Sequence, residues 1–148
     1  MERRCRNTTV AEAQAEAALL LSPDSRFSQH IQATHPGLDY HRHFAALHRS
    51  LYRANIAVDV TAPGRDLSAY RLVAAPLFSV VSSEDAARLE AYVRGGGTLM
   101  LTFRAGTRDP HNAVVNARPP GVLQELCGIE VEEYDSLPPG ATRGLRFL

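Results

Sequence analysis

Two short apolar runs without alternation, Leu72-Val73-Ala74-Ala75 and Leu99-Met100-Leu101, have the pattern of strands covered on both faces in a parallel sheet. Parallel strands need a crossover between them, and the intervening residues supply a helix. Ser82 is its N-cap, Asp85 stands three residues on as a capping-box partner, and Glu84 and Asp85 are acidic residues in the first turn, where the helix dipole favours them. Ala86, Leu89, Tyr92 and Val93 fall on one face, while Glu84 with Arg88 and Glu90 with Arg94 make i,i+4 pairs on the other. Gly95, Gly96 and Gly97 end the helix, because a residue just past a helix often needs positive φ. The stretch from Tyr70 to Asp109 thus predicts a right-handed βαβ unit followed by a loop.

The rest of the chain arranges itself around that unit. Ala17 to Leu21 is an apolar run expected to be a first buried strand, ended by a Ser22-Pro23-Asp24 turn and a loop from Ser25 to Gly37. Asp39 is an N-cap for a helix whose Tyr40, Phe44, Leu47 and Leu51 define an apolar face and which stops near Asn55. Ala57 to Val60 is a short strand, and a Pro63-Gly64 turn leads back to the central unit. Pro119 and Pro120 suit the first turn of a further helix through Val122, Leu123 and Leu126, closed by Gly128, and Ile129 to Tyr134 reads as a last strand. Strands alternating with helices predict an α/β domain: a doubly wound, mostly parallel, flavodoxin-like three-layer sandwich of the class I glutamine amidotransferase kind. Its expected extent is 17–137, preceded by a polar tail or linker over 1–16 and followed over 138–148 by the start of a linker or a truncated element.

Composition narrows the functional classes. With 148 residues, 45% hydrophobic and 22% charged, the chain suits one domain with a buried core. Sixteen basic residues, all arginine, balance sixteen acidic ones, so no net field recruits nucleic acid or an anionic membrane. Cys5 and Cys127 show neither zinc-ligand spacing nor a disulfide framework. No run is long enough to span a membrane, and no hydrophobic signal region follows the basic start, so a soluble, cytoplasmic protein is expected.

In such folds ligands sit beyond the carboxyl ends of the strands, which points to the loops Ser22 to Ser28, Pro76 to Val81 and Arg104 to Asn116. None carries a full catalytic set. No GxGxxG follows the first strand, and Gly95 to Gly97 lie at the wrong end to cradle phosphate, so no nucleotide or other cofactor is expected. Ser79 lacks the glycine-flanked elbow of a nucleophile. His41 and His43, two apart on a helix, point about 200° apart and cannot easily share a metal ion, so they and His48 read as a solvated face with one packed histidine. Arg104, Arg108, Asp109, His111 and Asn112 form the densest polar cluster, either a salt-bridged surface loop or one presented to another domain or subunit.

Three stretches carry a family likeness: LDYHRHFAALHRSLYRANIAVDV, LSAYRLVAAPLFSVVSSEDAARLEAYVRGGGTLMLTFRAGTRD and GVLQELCGIEVEEYDSLPPG. Through them the chain, from about Ala17 to Leu137, resembles the middle, trimerisation domain of glycoside hydrolase family 42 β-galactosidases. The resemblance implies a parent enzyme with an N-terminal (β/α)₈ barrel bearing two catalytic glutamates, then this domain, then a small β domain, cleaving terminal β-D-galactosyl residues with retention. A barrel needs roughly 250 residues. Glu125, Glu130, Glu132 and Glu133 do not replace its carboxylates, since nothing sets two of them across a sugar. This chain is therefore expected to have no catalytic residues, to be inactive alone, and to self-associate as a homotrimer. The family's arginine-glycine-aspartate loop maps onto Arg104, Gly106 and Asp109, with Arg108 where lysine is common, and the resemblance puts it near the barrel. With Asn112 these residues form the expected inter-domain or subunit contact loop. Leu77, Phe78, Val80 and Val81 are the expected hydrophobic interface. The competing expectation is a free-standing small-molecule-binding or amidotransferase-like α/β domain.

Overall fold

The computed structural model describes residues 15–33, 35–137, 140–142 and 144. The expected tail up to Gln14, and Pro138, Pro139 and most of the exit segment, lie outside the described residues. β1 (Ala17–Leu20) is central and pairs in parallel with β2 (Val58–Thr61) on one side and β3 (Leu72–Ala75) on the other; β4 (Thr98–Leu101) pairs with β3. The sheet is therefore all parallel in the order β2-β1-β3-β4.

The pleat divides the apolar residues between two helical layers. Ala18 and Leu20, Val73 and Ala75 face α3 (Ser83–Arg94), whose Leu89 and Tyr92 are buried in the same cluster, with Leu99 and Leu101 packed against it. The caps of α3 form as the sequence requires. Ser82 Oγ accepts from the Asp85 amide at 3.0 Å, the Asp85 carboxylate receives the Ser82 amide at 3.4 Å, and Arg94 pairs with Glu90 at 2.7 Å on the outer face. Within the glycine run it is Gly96 that takes positive φ, at 96°, while a Cβ on Gly97 would meet the Tyr92 ring. The opposite face of the sheet, with Ala17, Leu19 and Ala74 all buried, is covered by α2 (Tyr40–Arg53), capped by Asp39, which accepts the Arg42 amide.

The structure departs from the pattern in four places. Residues 23–31 form a helix, α1 (Pro23–Ile31), where a loop was expected. Its buried residues are Ser25, Ser28 and Gln29, so it has no apolar stripe to announce it, and Ser22-Pro23-Asp24 is an N-cap, a proline at the first helical position and an acidic first turn rather than a free turn. The helix expected after Pro120 is reduced to a 3₁₀ turn at Gly121–Leu123 and a one-turn α4 (Gln124–Cys127). Leu123 is buried there, but Val122 is 45% exposed. Residues 129–134 form no strand: Ile129 is exposed, and the Val131 amide donates to the Pro119 carbonyl rather than to β4. The first two strands differ by one residue at their ends: β1 stops at Leu20, and β2 is shifted forward to Val58–Thr61.

Candidate functional site

Between β1 and β3 the chain reverses its direction of travel across the sheet, and the crevice outside the carboxyl ends of these strands is where doubly wound domains seat ligands. Here the crevice is closed by the protein's own hydroxyls. Ser22 Oγ donates to Ser25 Oγ at 2.9 Å and accepts the Ser25 amide at 3.1 Å; the Val80 amide, from the loop after β3, donates to Ser25 Oγ at 3.1 Å. From the α2 side the Tyr40 hydroxyl accepts the Ser22 amide at 3.1 Å. Burial raises the Tyr40 pKa above its ordinary value, against the opposing pull of the Ser22 amide and the Arg26 charge. Ser22 and Ser25 are among the least exposed side chains of the chain, so the crevice presents them to each other rather than to a solute.

The loop after β3 is equally enclosed. Leu77, at φ 47°, donates its amide to Thr102 Oγ1 at 2.8 Å, and the Leu77, Phe78, Val80 and Val81 side chains are 0–7% exposed. These four apolar residues, expected at a subunit surface, lie within the chain's own core because the segment runs under the loop that follows β4. Ser79 is also wholly buried and cannot reach a substrate.

That overlying loop contains the polar cluster seen in the sequence. Its residues 106–108 continue the parallel pairing past β3, with the Gly106 amide on the Phe78 carbonyl and the Arg108 amide on that of Ser79, both at 2.9 Å. It then folds back at Asp109, whose Oδ1 accepts the His111 amide at 2.9 Å and the Ala113 amide at 2.8 Å. Arg108 reaches from this turn to α1, donating to the Asn112 carbonyl at 2.8 Å and to Gln32 Oε1 at 2.7 Å. Arg104, at φ 64°, places its guanidinium 5.0 Å from the centre of the Tyr134 ring. Gly106 is buried against residues 119–121 so closely that a Cβ would overlap the Pro120 carbonyl oxygen. The five predicted contact residues are thus brought together in one loop, and each is engaged within the chain. Tyr40, Gln32 and Thr102, which sequence reasoning did not assign to the site, hold the loops in place together with Ser22 and Ser25 of the Ser22 to Ser28 loop that it did name.

Other chemistry is sparse. Among the described residues, no group of three or more His, Cys, Asp or Glu is placed to hold a metal ion. His41 is exposed, whereas His43 packs edge-on against Phe103 with ring centres 5.2 Å apart, and burial lowers its pKa below the ordinary 6.5. The Cys127 thiol is pushed up by burial, away from thiolate reactivity. A cleft of about 1050 Å³, bordered by Arg65, Tyr70, Arg71 and Gly96, opens at the amino ends of the strands, opposite the crevice.

Comparison with known proteins agrees with this arrangement. Residues 15–147 match the family model described as the beta-galactosidase trimerisation domain. The chain is 33% identical over 122 residues to beta-galactosidase BgaA of Clostridium cellulovorans and 34% identical over 125 residues to beta-galactosidase BgaB of a Geobacillus species. These alignments cover 82% and 84% of this chain but only 18% and 19% of the relatives. Among solved structures, the beta-galactosidase of Bacillus circulans sp. alkalophilus superposes with a TM-score of 0.83 at 31% identity, over 86% of this chain and 19% of that one. A fold whose ligand crevice is filled by its own side chains, matched along nearly its whole length by this model, belongs to the β-galactosidase trimerisation domain family of the glycoside hydrolase family 42 enzymes.

Proposed function

We propose that this chain acts as a non-catalytic assembly domain that associates with itself about a threefold axis. Within a longer, retaining β-galactosidase it would hold subunits together while a separate (β/α)₈ barrel hydrolyses terminal non-reducing β-D-galactose residues in the cytoplasm. The observation that carries this reading is the closure of the β1/β3 crevice by Ser22, Ser25 and Val80, which removes the position where a flavodoxin-like domain would bind a ligand. The same closure counts against a free-standing small-molecule-binding or amidotransferase-like domain. Arg104, Gly106, Arg108, Asp109 and Asn112 shape a loop that presents exposed His111 and Val114 at its tip, and this tip is the part of the loop that meets the barrel. Leu77, Phe78, Val80 and Val81 support it from beneath.

Sedimentation equilibrium from micromolar to several hundred micromolar tests the assembly, with trimer mass growing in as concentration rises. A monomeric mass throughout, both for this chain and for the domain fused to a barrel, would overturn it. Nitrophenyl galactoside turnover is expected at the blank rate. Turnover removed by a substitution in this chain would instead make it an enzyme.

A further inference from the structure

The chain is neutral overall, yet its charges are segregated. α2 contains Arg42, Arg49, Arg53 and three histidines and no carboxylate in its 14 residues. The arginines, seven and four apart, lie on one exposed stripe, with Ala46 between Arg42 and Arg49. None of them is in an ion pair among the described residues. Arg49 and Arg53, one turn apart, repel each other, a cost that facing carboxylates would relieve. Beside them Tyr52 is 73% exposed.

The complementary patch lies on the other layer. Glu125, Glu130, Glu132 and Glu133 are exposed, and no basic side chain occurs from Pro119 to Thr142. Arg118 partly offsets the patch, 2.9 Å from Glu130 and 3.7 Å from Glu132. Ile129, 57% exposed, sits within it. Leu126 and Cys127 pack against the α3-side core, and none of the acidic residues of this segment pairs with an α2 arginine among the described residues.

We propose that the outer face of α2 in one copy docks on the 125–133 segment of the next, head to tail, closing a ring. This rests on the self-association reading above and names its surfaces. Two different patches per subunit are what a threefold ring requires, and an apolar contact of Tyr52 with Ile129 inside a charged rim has the anatomy of a specific interface.

The experiment compares four proteins by sedimentation equilibrium over the same concentration range, with circular dichroism melts to check folding. They are the wild type, Arg42→Glu/Arg49→Glu/Arg53→Glu, Glu130→Arg/Glu132→Arg/Glu133→Arg, and the combination of all six. Each triple reversal is expected to weaken association by about tenfold or more, the combination to restore it, and high salt to weaken the wild type in the same direction. A wild type that assembles while either triple variant assembles equally well overturns this inference and leaves self-association standing; a wild type that stays monomeric both alone and fused to a barrel overturns both. Loss of heparin retention in the arginine variant with no change in mass would assign the face to a polyanion and also overturns the inference.

Discussion

Gly106 and Gly96 both adopt positive φ, at 64° and 96°, but for different reasons. At Gly96 nothing lies within 4 Å of where a Cβ would be, so alanine there meets backbone strain alone, about 1–2 kcal/mol. At Gly106 the same substitution also drives a methyl into the Pro120 carbonyl oxygen, and the expected loss in urea melts is about 3–5 kcal/mol. Equal losses at the two sites would show that the 119–121 segment simply moves aside. His43 makes a prediction of a different kind. Its pKa is lowered by burial, so the unfolded chain takes up the proton first as pH falls below 6.5. Its contribution to stability is complete above that value and is lost as pH drops toward the depressed folded-state pKa. The urea midpoint should fall between pH 7.5 and 5.5, and the fall should be smaller in His43→Phe. Because each protein is compared with itself, any constant change in packing cancels.

Among elements, α3 shows how sharply one helix separates its two faces. Leu89 is 2% exposed and central to the α3-side core, so Leu89→Ala is expected to cost about 2–5 kcal/mol. Arg88 is half-exposed and pairs with Glu84 and Asp85 at the surface, so Arg88→Ala should cost well under about 1 kcal/mol in the same urea melts. This helix was legible in the sequence because cap, apolar stripe, surface pairs and glycine stop all agree. α1 was not, since its buried side chains are serines and a glutamine whose packing leaves no apolar period. The reverse error occurred at residues 129–134, where an apolar and glutamate alternation suggested a strand but Val131 bonds to Pro119 and no sheet partner is present among the described residues. Alternation reports which side chains suit a sheet, not whether an edge is there to receive them.

For the molecule as a whole, a filled crevice predicts indifference to metabolites. Millimolar nucleotide or galactose should leave the melting temperature unchanged, whereas a ligand held at 100 times its Kd would add about 2.7 kcal/mol. A reproducible upward shift would return the domain to the ligand-binding class. Fold class and strand polarity could be read from buried runs and spacing, because they depend on local periods. The composition of the site could not be read in this way, since its contacts join residues far apart in the chain. Leu77, Phe78, Val80 and Val81 illustrate the difficulty: an apolar segment looks the same in sequence whether a partner or the chain's own loop covers it.

The bond between Ser25 and Val80 has a consequence in time as well as in space. It closes 55 residues of chain, and the Arg108 bond to Gln32 closes 76. At a synthesis rate of about 5–20 residues per second, roughly 3–11 s separate the appearance of the serine from that of its partner. Throughout that interval α1, whose buried side chains are all polar, has no fastening to the sheet's far loops. The carboxyl-end rim is therefore secured long after α1 itself has been made, and α1 is expected to be the first part to open in native-state hydrogen exchange.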